Sequence, residues 1–230
     1  MKVRIKFSKY GAMRFVGHLD MLRFFQKALR RAGVEVAYSG GFSPHPLISF
    51  AAPLGLGLSS RAEYFDVELA SPDPHDIKTR LAAQMVPGVE IISVTVLPEG
   101  AAKAMASVFA AAYTVSFKKT APLPLDWISQ FEAFLRLPEI SYLKITKKVE
   151  RMMNLAPLIY ESRINAENRA IYLLVNASSA DSIKPQFVIE AFIDHIGQRF
   201  QPSLWDICRE EIYRNTGTAE KPCLVPLDDI

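Results

Sequence analysis

The apolar residues of the first 32 positions change their spacing once, and that change predicts the first two elements of the fold. In residues 2–7, KVRIKF, basic and apolar residues alternate, which is the period of a strand with one buried face. From Leu19 onward the apolar residues recur every three or four positions, and Gly33 follows as a stop signal. The sequence therefore predicts a strand followed by a helix that ends near Ala32.

The rest of the chain completes this order and then repeats it. In the first half, strand patterns follow at 34–38, 47–52, 63–70 and 89–97, with a helix pattern at 76–86. In the second half, strand patterns at 112–118, 140–149, 169–177 and 205–215 are combined with helix patterns at 125–136 and 184–200. With irregular pairing around residues 38–47, we predict an α+β fold of two tandem ferredoxin-like (βαββαβ) halves.

An alanine-rich segment separates the two halves. Residues 99–112, EGAAKAMASVFAAA, contain few turn residues, so a short connecting helix is expected there. The predicted organisation is a ferredoxin-like half with a basic helix and a glycine and proline loop at 1–98, the connector at 99–112, and a second half at 113–230.

Membrane and iron–sulfur proteins are disfavoured by the sequence. The longest nearly apolar run, residues 47–58, is too short to span a bilayer and contains Pro53. The first residues do not resemble a signal peptide, so we expect a cytoplasmic protein without membrane contact. Two cysteines, Cys208 and Cys223, cannot hold an iron–sulfur cluster by themselves, and we expect no cofactor.

Positive charge is concentrated at the start of the chain. Residues 1–31 carry nine basic side chains against one acid, a net charge of +8. The whole chain has a net charge of +3, so the remaining 199 residues sum to −5. An anionic ligand would be drawn toward the N-terminal segment.

The segment YSGGFSPHP, residues 38–46, predicts a loop shaped by its backbone. Its adjacent glycines adopt positive φ readily, and its prolines fix their own φ and restrict the preceding residues. Exposed amides beside glycines can bind phosphate or carboxylate oxygens. The alternative is a tight connection whose prolines only prevent edge aggregation.

Basic and aromatic residues near this loop suggest RNA binding. Arginine and lysine on one helix face can hold phosphates, and aromatic rings can stack on bases. The alternative is a solvated helix face. The predicted substrate-binding residues are Arg14, Arg23, Lys27, Arg30, Tyr38, Gly40, Gly41, Phe42, Ser43 and His45.

Two histidines are the candidate catalytic residues. His18, Asp20 and His45 could act as metal ligands or as an acid–base set if they shared a cleft. A cap or charge match at the helix N-terminus explains His18 and Asp20 equally well. We expect no metal site, with His18, Asp20 and His45 as the only candidates, and His18 and His45 remain the candidates for a general base.

Several short motifs together resemble a known family. They are HLD with Arg23 three residues on, then RRAG, YSGGFSPHP and SFAAPLGLG, followed by Glu63, Asp66 and Leu69. Over residues 3–70 the chain resembles the radical SAM-linked domain of unknown function, which is fused to radical SAM proteins or encoded beside them. The length resembles a free-standing member. Where the family has Asp-x-Arg before a turn with proline, this chain has Asn154 before Leu-Ala-Pro.

The resemblance implies a partner radical SAM enzyme, because this chain lacks the three-cysteine motif that such an enzyme needs. We therefore expect an accessory protein, non-catalytic rather than an enzyme, that binds RNA or another anionic substrate for that partner. Tandem ferredoxin-like halves also resemble RAMP proteins, so a metal-independent endoribonuclease using His18 or His45 is one alternative. The other is a protein-interaction module whose basic face meets an acidic surface.

Overall fold

The computed structural model describes residues 1–71, 75–145, 150–199, 201–218 and 220–230. It divides into two compact units, unit 1 with residues 1–109 and 209–230 and unit 2 with residues 110–208. The strands are β1 (Lys2–Lys9), β2 (Ile48–Phe50), β3 (Ser59–Glu68), β4 (Val89–Val96), β5 (Ala110–Phe117), β6 (Ser141–Ile145), β7 (Glu150–Asn154), β8 (Ile159–Asn165), β9 (Ala170–Asn176), β10 (Trp205–Asn215) and β11 (Leu224–Pro226). The α-helices are α1 (His18–Arg31), α2 (Ile77–Ala82), α3 (Ala104–Ser107), α4 (Trp127–Leu135) and α5 (Pro185–His195).

Unit 1 is built on an antiparallel sheet. Strand β1 pairs with β3 on one side and with β4 on the other, and β2 pairs with β3. The end of β10 lies beside β3, and β11 pairs with it. In the register of β1 and β3, Arg4 lies opposite Asp66 and Lys6 opposite Tyr64. The sheet therefore places charged and polar side chains of distant segments next to one another.

The core of unit 1 follows from the two periods in the sequence. Val3, Ile5 and Phe7 alternate along β1 and are almost completely buried. On α1 the buried residues include Phe25 and Leu29, one turn apart. The rings of Phe7 and Phe25 lie edge to face, 4.7 Å between centroids. The apolar face of the helix thus covers the apolar face of the strand.

Unit 2 has its own antiparallel sheet and core. Strand β9 pairs with β5 on one side and β8 on the other, and β6 and β7 form a separate hairpin. The helices α4 and α5 bring Phe131 and Phe192 into edge-to-face contact at 4.9 Å between centroids. Val115 of β5 is fully buried in the same core.

The predicted α+β class is confirmed, and most predicted elements are present. The structure differs at residues 34–38, where two isolated bridges, Val36 to Leu69 and Tyr38 to Pro46, replace the predicted strand. A proline nitrogen cannot donate a ladder hydrogen bond, so pairing stops there. Strands β7, β8 and β11 were not expected from the sequence pattern, and residues 146–149 of the predicted strand 140–149 lie outside the described residues.

The segment between the halves also differs from the prediction. Within residues 99–112 only the four residues of α3 are helical, and Ala110–Ala112 already belong to β5. These alanines are buried opposite residues 174–176, and burial in a sheet overrides their helix propensity. Unit 1 takes in residues 209–230 from the end of the chain, while the predicted division at 1–98, 99–112 and 113–230 stays a prediction.

None of the described helices is long and apolar enough to cross a membrane.

Candidate nucleic-acid interface

The exposed face of α1 carries three of the predicted binding residues. Arg23, Lys27 and Arg30 are spaced four and three residues apart, so they share the face opposite Phe25 and Leu29. A guanidinium nitrogen of Arg23 lies 3.3 Å from a carboxylate oxygen of Asp20 in the first turn, with both side chains exposed. Lys27 and Arg30 form no ion pair with any described residue. The helix therefore presents two cations that have no counter-ion in the described part of the chain.

The start of α1 places His18 against the core rather than in a cluster of ligands. The ring of His18 is half-buried and lies edge to face with Phe50, 5.1 Å between centroids. The N-cap residue is Gly17, and no side chain caps the helix. Of the alternative explanation by a cap or a charge match, the side-chain cap is absent, whereas Asp20 in the first turn does complement the helix dipole.

Arg14 lies in a 3-10 turn, Gly11–Phe15, just before α1. Its guanidinium carbon lies 4.8 Å from the centroid of the exposed Phe15 ring. The carbonyl of Arg14 accepts a hydrogen bond of 2.9 Å from the amide of Gly57. Gly57 has φ of +83°, a conformation that favours glycine, so its backbone angle explains one glycine of the SFAAPLGLG motif.

The glycine and proline loop is closed by Ser39 and His45. The Ser39 amide donates to the His45 carbonyl at 2.9 Å, and the Ser39 hydroxyl lies 2.9 Å from His45 Nδ1. The His45 amide also donates to the Ser39 hydroxyl, at 3.1 Å. These three contacts hold residues 40–44 as the tip of a hairpin-like loop.

The tip of this loop presents unpaired groups to solvent. Gly41 has φ of +97°, and the Phe42 side chain is completely exposed. The amides of residues 40–43 donate to no acceptor in the described part of the chain. Successive free amides beside a glycine with positive φ are the feature that binds anions.

Two concave sites lie on either side of the segment that follows the loop. A groove of about 400 Å³ is lined by Arg30, Tyr38 and Gln26, and a cavity of about 290 Å³ is lined by His45, Lys2 and Lys103. Pro46 and Ile48 line both of them. The structure therefore brings Arg30 and Tyr38 to one groove and places His45 at the other.

The three candidate metal ligands have three different partners. His18 contacts Phe50, Asp20 pairs with Arg23, and His45 bonds to Ser39. Within the described ranges, no three His, Cys, Asp or Glu side chains are grouped so that they could hold a metal ion. The structure does not join these three residues into one site.

Three of the basic residues counted in the N-terminal charge, Arg4, Lys6 and Lys9, are buried or half-buried beside carboxylates, which the sequence did not reveal. In the first pair, Arg4 donates two hydrogen bonds, of 2.8 and 3.1 Å, to the carboxylate of Asp66. Arg4 also donates to the carbonyls of Leu227 and Ala102, and the Ala104 amide donates to Asp66 at 2.7 Å. This pair binds the segments around α3 and β11 to the sheet.

The second cluster centres on Lys6. Its ammonium lies 2.7 Å from Glu211 and 3.4 Å from Asp228. The Tyr64 hydroxyl lies within hydrogen-bond distance of the same two carboxylates, and Ser93 donates to Asp228 at 2.8 Å. Burial, followed by the charge of Glu211, raises the pKa of Tyr64, so the phenol stays protonated and donates.

The third cluster contains Lys9, Glu63 and Arg209. Arg209 lies 2.9 Å from the Glu63 carboxylate and donates to the carbonyls of Ala52 and Pro53. Burial raises the pKa of Glu63, against the opposing charge of Arg209, and burial also lowers the pKa of Lys9. Arg4 and Lys6 are thus neutralised by carboxylates, whereas Lys27 and Arg30 on α1 have no ion pair among the described residues.

The chain matches one known protein family over most of its length. Residues 2–185 match a family described as an uncharacterized protein conserved in bacteria, DUF2344. The match covers well over half of the chain, so the chain belongs to this family. No curated protein matches it.

One similar solved structure is described as "Crystal Structure of a Cbf5-Nop10-Gar1 Complex". A chain of that structure superposes with a TM-score of 0.53 at 11% sequence identity. The superposition covers 91% of this chain and 48% of the other, so this chain spans about half the length of that relative. At this identity the likeness shows the α+β fold alone.

Proposed function

We propose that this protein is a non-catalytic accessory protein that binds RNA, or another polyanionic substrate, for a partner enzyme. The observation that carries the proposal is the exposed face of α1, where Lys27 and Arg30 have no counter-ion among the described residues. Since the buried cations of β1 are neutralised, an incoming polyanion meets its strongest attraction at this face.

The loop at residues 40–43 supports the same proposal by a second kind of contact. Its free amides suit phosphate oxygens, and the exposed rings of Phe42 and Tyr38 offer stacking surfaces. Stacking on aromatic rings next to a basic helix is how proteins commonly bind single-stranded nucleic acid. A solvated helix face alone would not be accompanied by these groups.

The partner in this proposal is a radical SAM enzyme, as the family resemblance implies. This chain has two cysteines, both free thiols, which is one fewer than the cluster motif of such an enzyme requires. The enzyme and this protein would meet in the cytoplasm. Co-purification of the two from the source organism, with and without nuclease treatment, tests whether RNA is needed for their contact.

We also propose that the chain is built from two tandem ferredoxin-like halves. The strand order β4-β1-β3-β2 in unit 1, and the pairing of β5 with β9 and of β9 with β8 beside α4 and α5 in unit 2, support this proposal. A structure of each unit determined by experiment tests this topology.

The direct test of function is binding of total cellular RNA by the purified protein in EDTA, with the recovered RNA examined on a gel. Intact RNA whose binding weakens with salt is the expected result. RNA that is shortened by the wild type and left intact by His18→Ala or His45→Ala would instead favour the endoribonuclease. No binding at low salt would favour a protein-interaction module.

A further inference from the structure

A groove in unit 1 is lined by polar residues of several kinds, not only by the cations that bind phosphate. It lies between the end of α1 and the segment that follows Gly33, and it has a volume of about 400 Å³. The apolar part of its lining includes Val34, Val36 and Ile48. This volume lies near the lower end of the range for small-molecule sites, about 300–1,000 Å³, which suits one nucleotide-sized group.

Four lining side chains bring hydrogen-bonding groups without partners in the described part of the chain. They are the Gln26 amide, the Arg30 guanidinium, the Glu35 carboxylate and the Tyr38 hydroxyl. Glu35 and Tyr38 are exposed, and Gln26 is half-buried. A groove that combines an amide, a cation, an anion and an aromatic ring has the chemistry to recognise a polar planar group.

The Glu35 carboxylate would favour some parts of a nucleotide over others in this groove. A phosphate would be repelled by this carboxylate, whereas a base edge with N–H donors would be attracted. In a duplex those edges are already paired, and the deep groove of A-form RNA hides them, so the base has to be unpaired. Among the four RNA bases, guanine offers two adjacent N–H donors for a carboxylate together with the O6 and N7 acceptors that arginine reads.

On the basis of the proposed RNA binding, we propose that this groove accepts one unpaired guanine of a single-stranded RNA. The phosphates of the strand lie along Arg23 and Lys27, Tyr38 stacks on the base, and Glu35 accepts from its Watson–Crick edge. Arg30, near the end of α1, donates hydrogen bonds to the base or to the adjoining phosphate. The protein thus selects single strands, and within them guanosine.

The test measures fluorescence anisotropy with labelled 12-nucleotide oligouridines that contain one central guanosine, adenosine or cytidine. The guanosine strand should bind about tenfold more tightly than the adenosine strand, which is the discrimination expected of one bidentate contact. Annealing the guanosine strand to its complement should remove this advantage. Glu35→Gln should abolish the preference without weakening the adenosine strand, and Glu99→Gln, at an exposed acid of the same unit, should leave the preference unchanged.

Two results would overturn the inference in distinguishable ways. Equal, salt-dependent binding of all three strands, or a preference that survives Glu35→Gln, removes the guanine site and leaves the proposed RNA binding intact. No salt-dependent binding of any strand removes both.

Discussion

The guanidinium of Arg209 lies 2.9 Å from the carboxylate of Glu63, and both side chains are almost completely buried. The two residues are 146 positions apart in the sequence. Arg209 is also the first residue of the chain's return to unit 1, after residues 110–208 have formed unit 2. This ion pair therefore joins the last segment of the chain to β3.

Removing the cation of this pair should destabilise unit 1 strongly. Arg209→Met leaves Glu63 buried without its partner, and we expect the free energy of unfolding to fall by about 3–5 kcal/mol. Urea denaturation followed by circular dichroism measures the change. The double variant Glu63→Leu/Arg209→Met should recover part of the loss, because it removes the unpaired carboxylate but also takes away the negative charge that faces the buried Lys9.

A matched control lies close by in the same two strands. Arg61 and Glu210 form an ion pair of 3.3 Å in which the Arg61 side chain is 77% exposed. Arg61→Ala should cost less than about 1 kcal/mol, as expected of a solvent-exposed pair. Similar losses for Arg61→Ala and Arg209→Met would show that burial of the Glu63 pair does not matter.

Asp228 should give unit 1 an acid-sensitive contact. Burial alone would raise its pKa, but hydrogen bonds from Ser93 and Tyr64 and the charge of Lys6 together hold the pKa below its ordinary value. A lowered carboxyl pKa stabilises the fold above the ordinary value, about 3.9, and this contribution is lost as the pH falls through the lower folded value. Asp228→Asn should remove this part of the pH dependence.

The neighbouring Asp229 provides the comparison for Asp228. Its backbone carbonyl accepts hydrogen bonds from Arg214, and Asp229→Asn keeps that carbonyl. Asp229→Asn should therefore unfold at the wild-type temperature at pH 7, while the stability of Asp228→Asn is compared with that of wild type from pH 2 to pH 7 by thermal unfolding. A curve for Asp228→Asn that coincides with wild type would contradict the assignment.

Phe42 should affect RNA binding without affecting stability. Its side chain is fully exposed at the loop tip, so Phe42→Ala should leave the free energy of unfolding unchanged. Loss of a stacking surface should weaken binding of single-stranded RNA by about 1–3 kcal/mol. Leu125→Ala, at an equally exposed apolar side chain of unit 2, should change neither quantity. Equal RNA affinities of wild type and Phe42→Ala would exclude stacking on this ring.

The parts of the molecule that could be predicted from the sequence are those governed by local spacing. The alternation in KVRIKF gives β1, and the helical spacing of Arg23, Lys27 and Arg30 gives the basic face of α1. Each pattern lies within one short segment of the chain, so it can be interpreted without knowing which distant segment packs against it.

The buried clusters could not be predicted because their members come together only through the sheet. Arg4 forms an ion pair with Asp66, which is 62 residues away in the sequence, and Lys6 forms one with Glu211, which is 205 residues away. Seen alone, Arg4 and Lys6 are part of a basic N-terminal segment. Strand register alone makes them internal cations, and register depends on contacts that one sequence does not specify.

The central claim is that the exposed cations of α1 bind RNA phosphates. Its most direct measurement is the affinity of a labelled 12-nucleotide oligouridine across a salt series for wild type, Arg23→Ala/Lys27→Ala/Arg30→Ala and the control Arg136→Ala, whose arginine is exposed at the end of α4. The plot of log affinity against log salt should lose about 0.7 of its slope for each phosphate contact removed, close to 2 in all, while Arg136→Ala matches wild type. An unchanged affinity and slope in the triple variant would contradict the account.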